Sequence, residues 1–111
     1  MKLYNTLSRK KEQFSVPDGT VKMYVCGVTP YAPSHVGHAM MSVIFDVVRR
    51  YLEFQEFEVK HVQNFTDIDD KMIQAAAEQA ITTTELAEEN IQRYLEEMDA
   101  LNVLRAHEYP R

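Results

Sequence analysis

Hydrophobic and polar positions along this chain change period several times, and each change predicts a different element. Residues 21–26 form a largely apolar run, which is typical of a strand buried on both faces. From about residue 37 to residue 55 the apolar positions recur every three or four residues, which predicts an amphipathic helix. Residues 57–65 alternate and predict a second strand. Strand, helix and strand in this order predict a parallel, right-handed βαβ unit.

The predicted first helix has one apolar and one polar stripe. The apolar stripe, which we expect to face the core, comprises Met40, Ile44, Val47, Val48 and Tyr51. The polar stripe, which we expect to face water, comprises Ser42, Asp46, Arg49, Arg50 and Glu53.

Two further helices are predicted after the second strand. One is predicted to begin after a cap at Thr66 or Asp67 and to break near Ile81. The next begins at Thr82, because Thr82 and Glu85 have the spacing of a capping box. Outside these elements, residues 1–14 indicate a solvated edge strand and turn, and residues 105–111 a connection that leaves the domain.

Composition narrows the class of protein. The 111 residues, of which 45% are hydrophobic and 26% charged, fit one small globular domain without a membrane span. A single cysteine cannot form an internal disulfide, so we expect a reducing, cytoplasmic setting. The formal net charge of −5 argues against a nucleic-acid footprint on this stretch alone.

The candidate chemistry lies where the first strand gives way to the helix. His35 and His38 flank Gly37 at the start of the helix, where unpaired backbone N–H groups favour an anion. The glycine allows close approach to the backbone, and each imidazole adds a hydrogen-bond donor. Since the carboxyl ends of parallel strands meet at one edge, Gly27 and Thr66 are expected to lie nearby.

Three carboxylates, Asp67, Asp69 and Asp70, follow the second strand. Acidic residues in a first helical turn are favoured by the helix dipole, so capping explains much of this cluster. Magnesium held through water is the alternative.

Several motifs together resemble the N-terminal part of the catalytic domain of the cysteinyl-tRNA synthetases, which are class I aminoacyl-tRNA synthetases. The resemblance covers nearly the whole chain in the family's order. It rests on Tyr4-Asn5-Thr6-Leu7, Met23-Tyr24-Val25-Cys26-Gly27, His35-Val36-Gly37-His38, Phe45-Asp46-Val47-Val48, Asn64-Phe65-Thr66-Asp67-Ile68-Asp69-Asp70-Lys71 and Asp99-Ala100-Leu101-Asn102-Val103-Leu104.

The resemblance implies an α/β, Rossmann-like (HUP-type) partial domain with a short, mostly parallel sheet, which we expect in three layers. It also implies that His35, Gly37 and His38 bind ATP, supplied with Mg²⁺, and that the two histidines are catalytic. They would stabilise charge on the α-phosphate while the cysteine carboxylate attacks it. Gly27 and Thr66 would contact cysteine, and Cys26 would be one of four zinc ligands.

The resemblance further implies that residues 1–111 are the N-terminal segment of such a domain, ending before its connecting insertion. The other zinc ligands, the Lys-Met-Ser-Lys-Ser loop and the tRNA-binding regions would then lie in the remainder. For this chain alone we therefore expect no zinc, a buried Cys26, tRNA contact only through the remainder, and nucleotide binding without full activity. Uncovered apolar surface predicts self-association.

Three alternatives remain open at this point. The chain could be a fragment of the related ligase that joins cysteine to a glucosaminyl-inositol in mycothiol synthesis, or a binding-only relative without activity. A complete small nucleotidyltransferase is disfavoured, because no second basic element for the leaving phosphates follows Lys71.

Overall fold

A computed structural model describes residues 1–111 and contains four strands and three helices. In chain order they are β1 (Lys2–Asn5), β2 (Lys10–Gln13), β3 (Thr20–Val28), α1 (Val36–Phe54), β4 (Glu58–Phe65), α2 (Asp70–Gln79) and α3 (Thr83–Ala100). None of the helices is both long and apolar enough to cross a membrane.

The predicted βαβ unit is confirmed, with β3 and β4 paired in parallel on either side of the α1 crossover. Their register runs from Thr20 opposite Glu58 to Val25 opposite Gln63, and an irregularity follows before Val28 pairs with Phe65. Only one face of this sheet is buried, so the expectation of burial on both faces is wrong. Lys22 and Tyr24 project from the other face, and Tyr24 is 64% exposed. The unit therefore has two layers rather than three.

Two apolar clusters fill the space between the covered face and the helices. The smaller one packs Val21 and Val59 of the sheet against Leu52 near the end of α1. The larger one lies at the carboxyl ends of the strands and joins Val28 and Phe65 to α2 and α3. Because the larger cluster lies under the strand ends, α2 and α3 support the same edge that carries the candidate site.

The buried face of α1 is the opposite of the predicted one. Ser42 and Asp46, expected in water, are 4% and 8% exposed, whereas Ile44 and Val47 of the apolar stripe are 52% and 59% exposed. Both buried polar side chains are satisfied, Ser42 by Tyr94 and Asp46 by the backbone N–H of Leu104. Buried polar groups with good partners are tolerated, so α1 can turn its apolar stripe outward.

Residues 102–111 are here called the C-terminal strap. The prediction that residues 105–111 leave the domain is wrong. The strap runs along the free edge of β4, where Gln63 N donates to Glu108 O at 3.1 Å and Phe65 N to Pro110 O at 2.9 Å. Tyr109 stacks on Phe65 with a ring separation of 5.2 Å. Backbone hydrogen bonds need no side-chain periodicity, which is why the sequence pattern did not reveal this contact.

Of the two predicted helix caps, the cap of α3 is confirmed and the cap of α2 is corrected. Thr82 caps α3 and exchanges hydrogen bonds with Glu85, as the capping-box spacing predicts. The cap of α2 is Asp69, which accepts from Lys71 N at 2.9 Å, rather than Thr66 or Asp67. At the N-terminus, the expected solvated edge is a fully exposed antiparallel hairpin of β1 and β2.

Candidate functional site

Two stacked histidines form the start of α1. His35 is the N-cap residue and His38 lies one turn later, with the imidazole rings 3.9 Å apart and 18° from parallel. His35 Nδ1 accepts from Gly37 N at 3.0 Å, and His38 Nδ1 accepts from His35 N at 3.2 Å. The pair thus forms a reciprocal cap in which imidazoles take the places usually filled by Ser or Thr and Glu.

These two bonds settle which ring nitrogen carries the proton. A backbone N–H can only donate, so the Nδ1 atoms of His35 and His38 must be unprotonated. Each neutral ring then carries its hydrogen on Nε2. Two N–H donors on stacked rings therefore lie at the N-terminus of α1. They can donate hydrogen bonds to an oxyanion without carrying a permanent positive charge.

The electrostatics favour the same neutral state. Partial burial lowers the pKa of His38, and the adjacent His35 lowers it further. Protonation of His38 would place a cation against a second imidazole and would remove the acceptor for His35 N. The lowered pKa of His38 thus favours the neutral ring.

The expectation that the helix amides of this turn are open to an anion is wrong for Gly37 and His38. Gly37 N is taken by the His35 ring, and His38 N donates to His35 O at 2.9 Å. A Cβ on Gly37 would lie 2.8 Å from His35 Cε1, so the glycine makes room for the His35 ring itself. The first donors offered to a ligand are therefore imidazole N–H groups rather than backbone amides.

A second group of residues meets where β3 and β4 end. Gly27 N donates to Asn64 Oδ1 at 2.8 Å, and Thr66 N donates to Val28 O at 3.0 Å. Asn64 Nδ2 reaches Thr66 Oγ1 at 3.3 Å. A Cβ on Gly27 would stand 1.7 Å from Asn64 O, so no side chain fits there. Gly27 and Thr66 therefore lie together as predicted, and Asn64 is the residue that joins them.

A hydrogen-bond chain links the start of α1 to Gln63, the neighbour of Asn64 in β4. Ser42 Oγ bonds His38 O at 3.0 Å and Tyr94 Oη at 2.8 Å, and Gln63 Nε2 donates to Tyr94 Oη at 2.9 Å. Tyr94 thereby fixes the first turns of α1 against the end of β4. Sequence reasoning missed Ser42 and Tyr94 in this role, because their partners lie 52 and 31 residues away.

Metal ligands are not gathered in this chain. Cys26 is exposed, which corrects the expectation of a buried thiol. No group of three or more His, Cys, Asp or Glu side chains could hold an ion. Of the candidate magnesium carboxylates, Asp69 caps α2 and Asp67 pairs with Arg111 at 2.9 Å. Four zinc ligands are needed, so the residues present do not fit a zinc ion by themselves.

Comparison with known proteins places this geometry in a family. The family of class I (C) tRNA synthetase catalytic domains matches residues 13–111. Cysteine–tRNA ligases from Dehalococcoides mccartyi strain 195 and Limosilactobacillus fermentum are each 55% identical to the chain over its whole length. The enzyme of Archaeoglobus fulgidus is 53% identical. The chain covers 24% of each of these relatives, so it spans about a quarter of their length.

Solved structures confirm the Rossmann-like fold. A methionyl-tRNA synthetase of Mycobacterium tuberculosis in complex with methionyl-adenylate superposes with a TM-score of 0.77 at 25% identity. The match covers 83% of this chain and 18% of that one. A second structure of that synthetase, also bound by methionyl-adenylate, gives a TM-score of 0.74.

Proposed function

This chain belongs to the family of class I (C) tRNA synthetase catalytic domains, and from that premise we propose that it carries half of the adenylation site of a cysteine–tRNA ligase. In this proposal ATP lies against the start of α1, and cysteine lies at the ends of β3 and β4. The observation that carries it is the pair of neutral, stacked imidazoles whose Nε2–H groups are left for a ligand.

The proposed chemistry is the activation of an amino acid. An oxygen of the cysteine carboxylate attacks the α-phosphorus of ATP, the bond to the bridging oxygen breaks, and pyrophosphate leaves with its electron pair. Negative charge accumulates on the α-phosphate oxygens in the transition state. His35 and His38 donate hydrogen bonds to that charge, and such a preorganised donor typically contributes ~2.7–4 kcal/mol. The bonds of Ser42 to His38 O and to Tyr94 hold the first turn of α1, which carries the rings, in place.

Gly27 and Thr66 hold the cysteine in this proposal. Gly27 approaches Asn64 closely at the ends of the two strands, and the Thr66 side chain is exposed beside them. Orientation of two substrates in one site is itself a large part of catalysis, because it converts an encounter into an intramolecular step. Adenylation thus requires both halves of the pocket, around α1 and around Thr66.

In this proposal, the other parts of the full-length protein supply the remaining zinc ligands and the tRNA-binding regions. Mg²⁺ would enter with ATP and would offset phosphate charge. A zinc ion would need Cys26 together with ligands outside this chain, and tRNA would be bound by regions outside it. By itself the chain binds adenine nucleotide weakly and does not attach cysteine to tRNA.

Nucleotide titration of matched cap variants tests the proposal. His38 and Glu85 occupy the same position in two reciprocal caps, one at α1 and one at α3. His38→Ala and Glu85→Ala should each cost about 0.5–2 kcal/mol of stability, since each removes one capping partner. Only His38→Ala should weaken ATP binding, as measured by calorimetry. ATP affinity that is unchanged in both variants, or lowered by the same factor in both, would contradict the assignment of the imidazoles.

The mycothiol-pathway ligase is the weaker alternative. The named relatives that match the whole chain are all cysteine–tRNA ligases, which supports the tRNA enzyme. A binding-only relative is distinguished by pyrophosphate exchange in the full-length protein. Exchange that depends on cysteine and disappears in His38→Ala supports the ligase, and its complete absence supports the binding-only alternative.

A further inference from the structure

The loop of residues 66–69, which carries Thr66, is fixed at both ends by hydrogen bonds. At one end Thr66 N donates to Val28 O, and at the other Asp69 caps α2. Between them Ile68 is 87% exposed and packs on little of the protein. Asp67 is the residue of the middle that reaches another part of the chain, through its ion pair with Arg111 at 2.9 Å.

Arg111 joins this loop to α3. Its Nε contacts Asp67, and its Nη1 contacts Glu88, one helical turn inside α3. The chain just before Arg111 is held against β4 by the bond from Phe65 N to Pro110 O and by the stacking of Tyr109 on Phe65. Because the guanidinium is planar and bonds two carboxylates, it fixes the orientation of those carboxylates as well as their separation. Arg111 is thus a brace between α3 and the loop.

The brace lies on the rim of the proposed amino-acid pocket. A surface concavity at the carboxyl edge of the sheet is lined by Asn64, Phe65, Thr66, Asp67, Ile68 and Arg111. The ion pair is partly exposed, with 24% of the Asp67 side chain and 37% of the Arg111 side chain accessible. Such pairs contribute little to global stability. The pair nonetheless supplies the contact that ties Asp67, in the middle of the loop, to another part of the chain.

We propose that Arg111 is a positioning residue for the amino-acid pocket, where its bonds to Asp67 and Glu88 hold the 66–69 loop so that Thr66 faces the substrate. This inference rests on the proposed function for its ligand, the amino acid, and on geometry alone for its effect on the loop. Loss of the brace should weaken the binding of cysteine much more than that of ATP, because the nucleotide half of the site at His35 and His38 contacts neither the loop nor the strap.

The test compares Arg111→Gln with Arg111→Lys and with the matched control Arg105→Gln. Arg105 forms a more exposed ion pair, and its partner Asp99 lies near the carboxyl end of α3 rather than in the loop. Hydrogen exchange of the Thr66 amide reports the loop without any ligand. Titrations with cysteine and with ATP, followed by NMR, report the two halves of the site separately.

Arg111→Gln should accelerate Thr66 exchange and raise the Kd for cysteine about tenfold, with ATP affinity changed less than about twofold, since a misplaced contact group weakens only its own ligand. Arg111→Lys keeps one charge but not the fork and should recover part of the loss. Arg105→Gln should leave both readouts unchanged.

Unchanged Thr66 exchange in Arg111→Gln would overturn the positioning role, and so would equal weakening of cysteine and ATP, which would indicate a general structural effect. If the unaltered chain binds no cysteine, the proposed function fails for that ligand, and the exchange measurement still decides whether Arg111 holds the loop.

Discussion

Replacement of Gly27 by alanine tests how tightly the two strand ends are joined. The added Cβ would lie 1.7 Å from Asn64 O, 2.8 Å from Asn64 C and 3.1 Å from Gln63 Cγ. Two of these atoms belong to the backbone, so rotation of a side chain cannot relieve the overlap. Ordinary contact between such atoms lies near 3.5 Å, and the strands must therefore separate locally by roughly 1.5–2 Å.

The cost of that separation can be estimated from its parts. Overpacking of this kind costs about 1–3 kcal/mol, and loss of the Gly27 N–Asn64 Oδ1 bond adds about 0.5–1.5 kcal/mol. We expect Gly27→Ala to lower the free energy of unfolding by about 2–4 kcal/mol, a large fraction of a typical 5–15 kcal/mol.

Gly19→Ala is the matched control for this experiment. A Cβ at Gly19 meets nothing within 4 Å, but the residue has φ of +72°, so its cost of about 1 kcal/mol is conformational. Urea unfolding followed by circular dichroism gives both values. A Gly27→Ala penalty no larger than that of Gly19→Ala would refute the close approach of the strand ends.

Three further predictions concern stability and assembly. Burial, Arg49 and His107 lower the pKa of His61 in the folded chain. As the pH falls, His61 is therefore protonated in the unfolded chain before it is protonated in the folded one. The free energy of unfolding should be constant above about pH 7 and decrease below about pH 6.5. A urea midpoint that rises toward pH 5 would contradict this sign. Asp46→Ala should lower the free energy of unfolding, measured in urea, by about 2–3 kcal/mol, because the Leu104 amide loses its acceptor. The exposed control Glu53→Ala should lower it by less than about 1 kcal/mol. Equal costs would disprove the anchoring of the strap by Asp46. The exposed apolar stripe of α1 predicts concentration-dependent self-association that Ile44→Lys reduces, and a strict monomer in sedimentation at high concentration would exclude it.

Local signals carried the parts of this fold that the sequence predicted well. The βαβ unit follows from periods of apolar residues within each element. The cap at Thr82 and Glu85 follows from a spacing of three residues, and both partners lie in one turn. The closeness of Gly27 to Thr66 follows from the rule that parallel strands end at the same edge.

The errors arose where a distant partner outweighs the local pattern. The apolar stripe of α1 is real, but nothing in its period shows that Ser42 and Asp46 find partners in α3 and the strap. The strap is held by backbone bonds, one stacked ring and side chains of other elements such as Asp46, and none of these contacts leaves a period in its sequence. Arg111 could not be assigned a role either, because its partners Asp67 and Glu88 are distant along the chain.

A residue-resolved titration of the chain with ATP and then with cysteine tests the central claim most directly. The proposed site predicts that ATP shifts the amide signals of Gly37 and His38 at the start of α1, and that cysteine shifts those of Gly27 and Thr66 at the strand ends. The signal of the His38 Nε2–H should also shift on addition of ATP, while the amide signal of Thr82, at the equivalent cap of α3, should stay unchanged. ATP-induced shifts that spare the start of α1, or that fall equally on both caps, would contradict the claim that this chain carries half of an adenylation site.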